Sequence, residues 1–255
     1  MQTITVGPHR FSRVICGTNA FHGRSHFSAA RDAEYRSRFD DAMIERTLRV
    51  CLGHGVDTVE SSAGGRIEAI LDRVQAQAGR PLRFVGSTRI DDTSELKTHE
   101  RKLAHLIERR ADICVVHAQW LEHPRQPLPP DGLREIVGRI HAAGLLAAIS
   151  AHRVATVERC EREGCGVDIY LFPLNATGFV YPGYDGGETV AERIDLVRRV
   201  PRPFILMKAL GAGRIPPAEG LRFIAQHAKP TDLVLIGFAS EEEANETLAL
   251  ATQVL

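Results

Sequence analysis

Eight short apolar runs recur along the 255-residue chain, and each is hydrophobic nearly throughout instead of alternating between apolar and polar positions. Such runs are typical of parallel β-strands that are buried on both faces. The sequence therefore predicts a parallel sheet. The runs are Val14–Thr18, Val56–Ser61, Leu82–Arg89, Ile113–Ala118, Leu145–Ser150, Val167–Leu174, Phe204–Leu210 and Leu233–Ala239.

Segments with helical periodicity lie between the runs, as over Ala42–His54, Leu133–Ala143 and Leu221–His227. One strand and one helix recur about every 25 to 35 residues, which is the repeat of a βα unit. Eight units predict one α/β domain over residues 1–255, a (β/α)8 TIM barrel, because that fold usually takes about 250 residues. An open doubly wound sheet is the alternative, but no glycine-rich dinucleotide fingerprint follows the first run.

Three segments stand outside this repeat. Residues 1–13 hold two short runs around Gly7-Pro8-His9, which predicts an N-terminal β-hairpin able to plug the bottom of the barrel. The predicted loops 21–40 and 176–188 exceed the usual connection length. Long loops at the C-terminal face of a barrel usually form lids and substrate contacts.

The composition gives no sign of a nucleic-acid or membrane partner. Lys plus Arg and Asp plus Glu each number 32, so the chain has no charge surplus to attract a polyanion. No apolar run approaches the roughly 18 residues of a membrane span, and no secretion signal is evident, which predicts a cytoplasmic protein. The five cysteines are an odd number, two of them in predicted strands, and are expected to be reduced core thiols.

Nearly every apolar run ends in a residue that can bind a ligand or perform chemistry. In a parallel barrel these ends meet at one rim, which is where barrel enzymes place their active sites. The pattern predicts an enzyme that acts on a small molecule. The residues are Asn19, Glu60, Arg89, His117, His152, Asn175, Lys208 and Ser240.

Several motifs share an order and spacing along most of the chain: the opening hairpin, Gly17-Thr18, the stretch from Gly55 to Glu60 followed by Ile67 to Leu71, Val115 to His117, and Ile236 to Ser240. In this order they resemble the aldo/keto reductases. The resemblance implies a TIM barrel. It also implies a site in which an Asp, Tyr, Lys and His tetrad protonates a carbonyl oxygen while NADPH supplies hydride.

This tetrad is degenerate in the present chain. By the resemblance, Glu60 falls at the aspartate position, Arg89 at the lysine position and His117 at the histidine position. The tyrosine position falls in Ala63-Gly64-Gly65, which has no proton donor, and a guanidinium stays protonated where the family has an amine. The usual reductase mechanism is therefore expected to be disabled.

The NADP contacts of the family are replaced as well. The residues that hold and stack on the nicotinamide correspond to Ala151, Leu171 and Met207. Where the family binds the adenosine 2′-phosphate with basic residues, this chain has Glu241-Glu242-Glu243. Three carboxylates suit a helix N-terminus but repel a phosphate. NADP is therefore a less expected cofactor.

The remaining rim residues predict acid–base chemistry. Lys208 lies in an apolar run, where burial suits an amine to proton abstraction or Schiff-base formation. His117 and Lys208 are predicted as acid and base, with Glu60 and His152 assisting. The structural alternatives are an ion pair between Lys208 and Glu60, a hydrogen-bonded core histidine for His117, and a helix cap for His152.

A second group of rim residues is predicted to bind the substrate. Arg214 follows the glycine-rich stretch after the seventh run, where barrels often bind phosphate, so an anionic substrate is one option and a tight turn with a solvated Arg214 is the other. A divalent metal held by Glu60, His117, His152 and His26 is a further option. The predicted binding residues are Asn19, His26, Arg89, Asn175 and Arg214.

Together these features predict a non-redox lyase or isomerase that acts on a small polyoxygenated or carbonyl compound. One alternative is an NADP-dependent reductase in which Tyr35, Tyr181 or Tyr184 replaces the missing proton donor. The other alternative is a non-catalytic protein that binds a small molecule at the barrel mouth.

Overall fold

In a computed structural model, which describes residues 1–90, 95 and 97–255, eight parallel strands close into a barrel and an antiparallel hairpin precedes them. The hairpin pairs β1 (Thr3–Val6) with β2 (His9–Ser12). This arrangement confirms the predicted (β/α)8 barrel with its N-terminal hairpin. The barrel strands are β3 (Val14–Gly17), β4 (Thr58–Ser62), β5 (Arg83–Ser87), β6 (Ile113–Val116), β7 (Leu146–Ser150), β8 (Ile169–Pro173), β9 (Phe204–Met207) and β10 (Leu233–Gly237).

Helices connect the strands and cover the outside of the barrel. Their ends carry the expected signals: Asp40 caps α2, Thr189 and Glu192 form a capping box at α8, and prolines occupy the first turns of α6 and α9. In the described part of the chain the helices are α1 (Ala29–Arg38), α2 (Asp41–Gly53), α3 (Arg66–Ala78), α4 (Lys97–Arg109), α5 (Ala118–Leu121), α6 (Pro130–Ala142), α7 (Val154–Arg162), α8 (Val190–Arg199), α9 (Pro217–His227) and α10 (Glu241–Val254).

The hairpin closes the N-terminal end of the barrel. Ile4, Val6 and Phe11 belong to the same buried cluster as inward-facing strand residues such as Ile15 and Leu146. This packing removes apolar hairpin surface from water and fills the barrel from below. The opposite, C-terminal rim stays open, and this is the end at which TIM-barrel enzymes place their active sites.

Two segments differ from the sequence-based prediction. The predicted loop 21–40 contains α1, which buries none of its residues and therefore leaves no apolar periodicity in the sequence. The seventh barrel strand ends at Met207 and not at Leu210, because Lys208 adopts a positive φ of 65° and Gly211 to Gly213 continue with positive φ angles. Lys208 is therefore lifted out of the strand and onto the rim.

The other general predictions concern the cysteines and the membrane. All five cysteines are buried and free. In the described ranges, no helix combines the length and the apolar character that crossing a membrane requires.

Candidate active site

A cavity of about 560 Å³ opens at the C-terminal rim, between the segments that follow β3, β9 and β10. It gathers five of the predicted site residues. Arg89 and His152 act on members of its lining through their charges, and His117 lies close to both. The five residues in the lining are Asn19, Glu60, His26, Lys208 and Arg214.

Glu60 projects into this cavity from β4, where it is paired in register with Gly17 of β3. Burial raises the pKa of its carboxyl group to about 7, although the nearby charges of Arg89 and Lys208 act in the opposite direction. The carboxyl group can therefore gain or lose a proton near neutral pH.

Lys208 lines the same cavity as Glu60 and directly follows β9. Burial lowers the pKa of its amine to about 8, and the positive charges of Arg89 and Arg214 add to this effect against the charge of Glu60. Its Nζ atom lies 3.2 Å from Nδ1 of His26. Among the described residues, its hydrogen-bond partner is this imidazole and not a carboxylate.

His26 reaches the rim from the segment after β3, with a positive φ of 56°. Burial, followed by the charges of Lys208, Arg89 and His152, lowers the pKa of its ring to about 3. The ring is therefore neutral at physiological pH. Because its Nδ1 accepts a hydrogen bond from the Lys208 ammonium, its own proton resides on Nε2.

Arg89 and Asn19 form a pair at the same rim, with Nη1 of Arg89 donating to Oδ1 of Asn19 at 3.1 Å. The charge of Arg89 lowers the pKa of His26, Lys208 and His117, so the guanidinium lies close to all three. The structure therefore brings both predicted binding residues to the group of titratable side chains at the rim.

His117 begins α5 as its N-cap residue. Its Nδ1 accepts the backbone N–H of Gln119 at 3.2 Å, and its own backbone N–H donates to Oγ1 of Thr88 at 3.0 Å. Burial and the nearby charge of Arg89 lower its pKa well below the ordinary value. His117 is thus a neutral imidazole that carries its proton on Nε2.

His152 is held by Glu122, a residue that the sequence analysis missed. Glu122 Oε1 accepts the backbone N–H of His152 at 3.0 Å, and Oε2 lies 3.2 Å from Nδ1 of His152. Burial alone would raise the pKa of Glu122, but hydrogen bonds from His152 and Thr156 outweigh it and lower the pKa. Because Nδ1 donates to the carboxylate, Nε2 is the ring nitrogen of His152 that points away from this pair.

No sequence signal marked Glu122, since it follows the short helix α5 and not a strand. The predicted helix-cap alternative for His152 does not describe the structure, because Arg153 is the N-cap residue of α7. Glu122 and His152 belong to successive βα segments. The closure of the barrel brings the carboxylate of the one into contact with the imidazole of the other.

The loop over residues 176–188 packs against His152. The Tyr181 ring stands nearly perpendicular to the imidazole, with ring centroids 5.2 Å apart. The Tyr184 hydroxyl donates to the Glu188 carboxylate, and its oxygen lies 3.1 Å from the carbonyl oxygen of His152. Arg193, which is fully buried, binds the same carbonyl at 3.0 Å and pairs with Glu188 at 3.1 Å.

The predicted binding residue Asn175 organises this loop. Its amide nitrogen donates to the carbonyl of Phe179 at 2.7 Å, and its amide oxygen accepts the backbone N–H groups of Thr177 and Phe179. These bonds use both ends of the amide within one turn. A direct contact between Asn175 and a substrate stays a prediction.

Arg214 joins the two long segments at the cavity entrance. Its guanidinium lies between the rings of Phe27 and Phe179, with Cζ 4.7 Å and 4.0 Å from the two ring centroids. Its Nη1 donates to the carbonyls of His26 and Gly211, each at 3.1 Å. The side chain therefore fixes three loops while it lines the cavity.

The possible metal ligands are directed elsewhere. Among residues 1–90, 95 and 97–255, no group of three His, Cys, Asp or Glu side chains is placed to share a metal ion. The Nδ1 atoms of His26, His117 and His152 instead form hydrogen bonds with Lys208, Gln119 and Glu122 respectively.

The end of the cavity near α10 carries the carboxyl group of Glu243. Ser240 caps this helix by accepting the backbone N–H of Glu243 at 3.1 Å, and the Glu243 carboxylate accepts the N–H of Ala239 at 3.3 Å. Two backbone donors are thus used within the chain, beside a carboxylate that would repel a phosphate.

Comparison with known proteins identifies the fold. No family model and no curated protein sequence matches the chain. The solved structures it resembles include Gox0644 in its apo form, which is 12% identical with a TM-score of 0.63 over 100% of this chain and 89% of that one.

Two further neighbours are enzymes by name. The N-acetylmannosamine-6-phosphate 2-epimerase from Clostridium perfringens is 16% identical with a TM-score of 0.53, over 85% of this chain and 86% of that one. The truncated 3-deoxy-D-arabino-heptulosonate 7-phosphate synthase from Thermotoga maritima is 10% identical with a TM-score of 0.56, over 99% and 90%. At such identities the likeness shows the TIM-barrel fold alone.

Proposed function

We propose that the protein is a non-redox lyase or isomerase that acts on a small polyoxygenated or carbonyl compound at the C-terminal rim of the barrel. The proposal is carried by one observation: Glu60 and Lys208 line the same cavity, with pKa values of about 7 and about 8. Groups that titrate near the working pH are the most effective at moving protons in both directions.

Four rim residues have a chemical role in this proposal. Glu60 transfers a proton to and from the oxygen of the substrate. Lys208 is the amine that acts at the carbon bonded to this oxygen. His152, oriented by Glu122, offers Nε2 as a second base. His117 is neutral and donates a hydrogen bond from Nε2, which polarises a carbonyl, so its role moves from acid to hydrogen-bond donor.

The charges at the rim favour an anionic substrate. Arg89, Lys208 and Arg214 supply positive charge, whereas Glu60 is partly protonated at neutral pH. The names of two structural neighbours mention phosphorylated sugar compounds, which is in keeping with a polyoxygenated anion. A cavity of about 560 Å³ falls in the usual size range of small-molecule sites, about 300–1,000 Å³.

Proton exchange in D2O tests the proposal without knowledge of the true substrate. The protein is incubated without NADPH with hydroxyaldehydes, hydroxyketones and 2-keto acids, and the loss of C–H signals beside the carbonyl is followed by ¹H NMR. We expect exchange with at least one compound, and a decrease of about 10²- to 10⁴-fold in Glu60→Gln.

The matched control is Glu163→Gln, which changes a carboxyl group on the outer surface and should exchange like the wild type. Carbonyl consumption that requires NADPH, without exchange in its absence, would contradict the proposal. Binding of a compound with no exchange at all would instead favour the non-catalytic binding protein.

A reductase is the second candidate because Tyr35 lines the same cavity as Glu60 and Lys208. This candidate retains the aldo/keto-reductase resemblance, with Tyr35 as the proton donor; the Tyr184 hydroxyl is engaged by Glu188 and Arg193. Titration with NADPH, followed by fluorescence, combined with aldehyde turnover by wild type and Tyr35→Phe, tests it. Tight binding and turnover that depends on Tyr35 would favour the reductase.

A further inference from the structure

The chain uses lysine rarely, which sets Lys208 apart. Of 32 lysines and arginines, four are lysines. Lys97 pairs with Glu95, Lys102 donates to the carbonyl of Ala63, and Lys229 pairs with Asp232. Among the described residues that line the cavity, Lys208 is the lysine. An arginine would supply positive charge there equally well, but only an amine can act as a nucleophile towards carbon.

The surroundings of Lys208 favour the neutral, nucleophilic amine. Its Nζ atom is buried at the rim beside the positive charges of Arg89 and Arg214, which destabilise the ammonium form. Its hydrogen-bond partner at 3.2 Å is the neutral ring of His26, which does not stabilise a positive charge as a carboxylate would. Glu60 faces the same space and can exchange protons with a bound oxygen atom.

We propose that Lys208 is a covalent catalyst that forms an imine with the carbonyl carbon of a 2-keto acid. The inference rests on the proposed function and deepens it, since it specifies the substrate class and the bond that forms. We assign the binding of the keto acid's carboxylate to Arg89. The charge of this guanidinium lowers the pKa of the Lys208 amine, so the two groups lie close together, and a guanidinium can form paired hydrogen bonds to a carboxylate.

The reaction steps balance without an oxidant or a reductant. The neutral Lys208 amine attacks the carbonyl carbon, and the oxygen takes a proton from Glu60. The Glu60 carboxylate then takes a proton from the nitrogen, which gives the carbinolamine, and returns it to the oxygen, which leaves as water while the nitrogen lone pair forms a protonated imine. The imine accepts the electrons of the adjacent C–H bond while Nε2 of His152 takes the proton, which gives an enamine. His152 returns a proton to the carbon, and addition of water to the imine in the reverse sense releases the product and restores the amine and the Glu60 carboxyl group.

Trapping with sodium borohydride tests this step directly. The whole protein is mixed with pyruvate and then with borohydride, which reduces an imine to a stable secondary amine. We expect intact-protein mass spectrometry to show one reduced pyruvate per chain, and peptide mapping to place it on Lys208. Acetone, which has the ketone but no carboxylate, should label at least about tenfold less, because it lacks the charge-assisted bonds to Arg89.

Two lysine variants make the result specific. Lys208→Arg keeps the positive charge but cannot form an imine, so its labelling should fall to background. Lys229→Arg is the matched control, because Lys229 lies away from the cavity and its partner Asp232 can also bind arginine. It should label like the wild type. Circular dichroism and thermal melting of both variants establish that they are folded.

The outcomes separate this inference from the proposed function. If the protein catalyses exchange in D2O but borohydride traps no label, the covalent role of Lys208 is overturned and the acid–base function stands. The same conclusion follows if Lys208→Arg exchanges as fast as the wild type. A label on Lys208 without exchange overturns the lyase or isomerase function and supports the reactive amine. Equal labelling by acetone and pyruvate overturns the assignment of the carboxylate to Arg89.

Discussion

The carboxylate of Glu122 holds His152 at two points: Oε1 accepts its backbone N–H at 3.0 Å, and Oε2 lies 3.2 Å from Nδ1 of its ring. One carboxylate thus fixes both the backbone position and the tautomer of the imidazole. Comparable carboxylate–imidazole pairs orient a catalytic histidine and stabilise its protonated form during the reaction.

We expect Glu122→Gln to lower the rate of proton exchange by about 10²-fold with little change in substrate affinity. The amide can still accept the backbone bond, but it cannot stabilise a protonated imidazole as a carboxylate does. The readout is the split between kcat and KM in the D2O exchange assay, with Glu163→Gln as the control. An unchanged kcat would show that His152 does not transfer protons.

The raised pKa of Glu60 makes stability depend on pH. An unfolded glutamate titrates near 4.5 and the folded one near 7, so the folded state binds the proton more tightly, and its stability falls as the pH rises through this interval. Relative to Glu60→Gln, the wild type should lose about 3 kcal/mol of unfolding free energy between pH 4 and pH 8.

Urea denaturation of both proteins at several pH values measures this difference. Gln226→Ala removes no titrating group, and its stability relative to the wild type should stay constant over the same range. If the unfolding free energy of the wild type rises relative to that of Glu60→Gln as the pH increases, the raised pKa of Glu60 is contradicted.

Arg193 is expected to be a major source of stability for the loop over residues 176–188. Replacing it with methionine leaves Glu188 and the carbonyl of His152 without their buried partner, which should cost about 3 to 5 kcal/mol of unfolding free energy. Arg199→Met on the same helix removes exposed ion pairs with Glu158 and Asp195 and should cost less than about 1 kcal/mol.

Chemical denaturation gives both values, and limited proteolysis reports on the loop. Cleavage within residues 176–188 should be faster in Arg193→Met than in Arg199→Met. Equal stabilities for the two variants would show that the buried network contributes no more than a surface ion pair.

The hairpin plug should also contribute measurably to stability. Phe11 is completely buried at the bottom of the barrel, so Phe11→Ala should lower the unfolding free energy by about 3 to 5 kcal/mol. Val254→Ala, at a position that is 39% exposed, should change it by less than about 0.5 kcal/mol. A small effect of Phe11→Ala would indicate that the barrel is stable without its plug.

The sequence by itself determined the barrel and the rim. Continuous apolar runs can be buried on both faces only in a parallel sheet covered by helices, and their regular repeat predicted closure with eight strands. The same logic placed Glu60, Lys208 and His117 at one end, because the C-terminal ends of parallel strands meet there.

Tertiary structure decided which of these residues share a site and in which protonation state. The pairing of Glu122 with His152 and the contact between Lys208 and His26 join segments that are 30 and 182 positions apart. No local pattern encodes such contacts, since they depend on the closure of the barrel and the path of its loops. Burial and neighbouring charge, which set the pKa values of Glu60 and Lys208, likewise exist only in the folded chain.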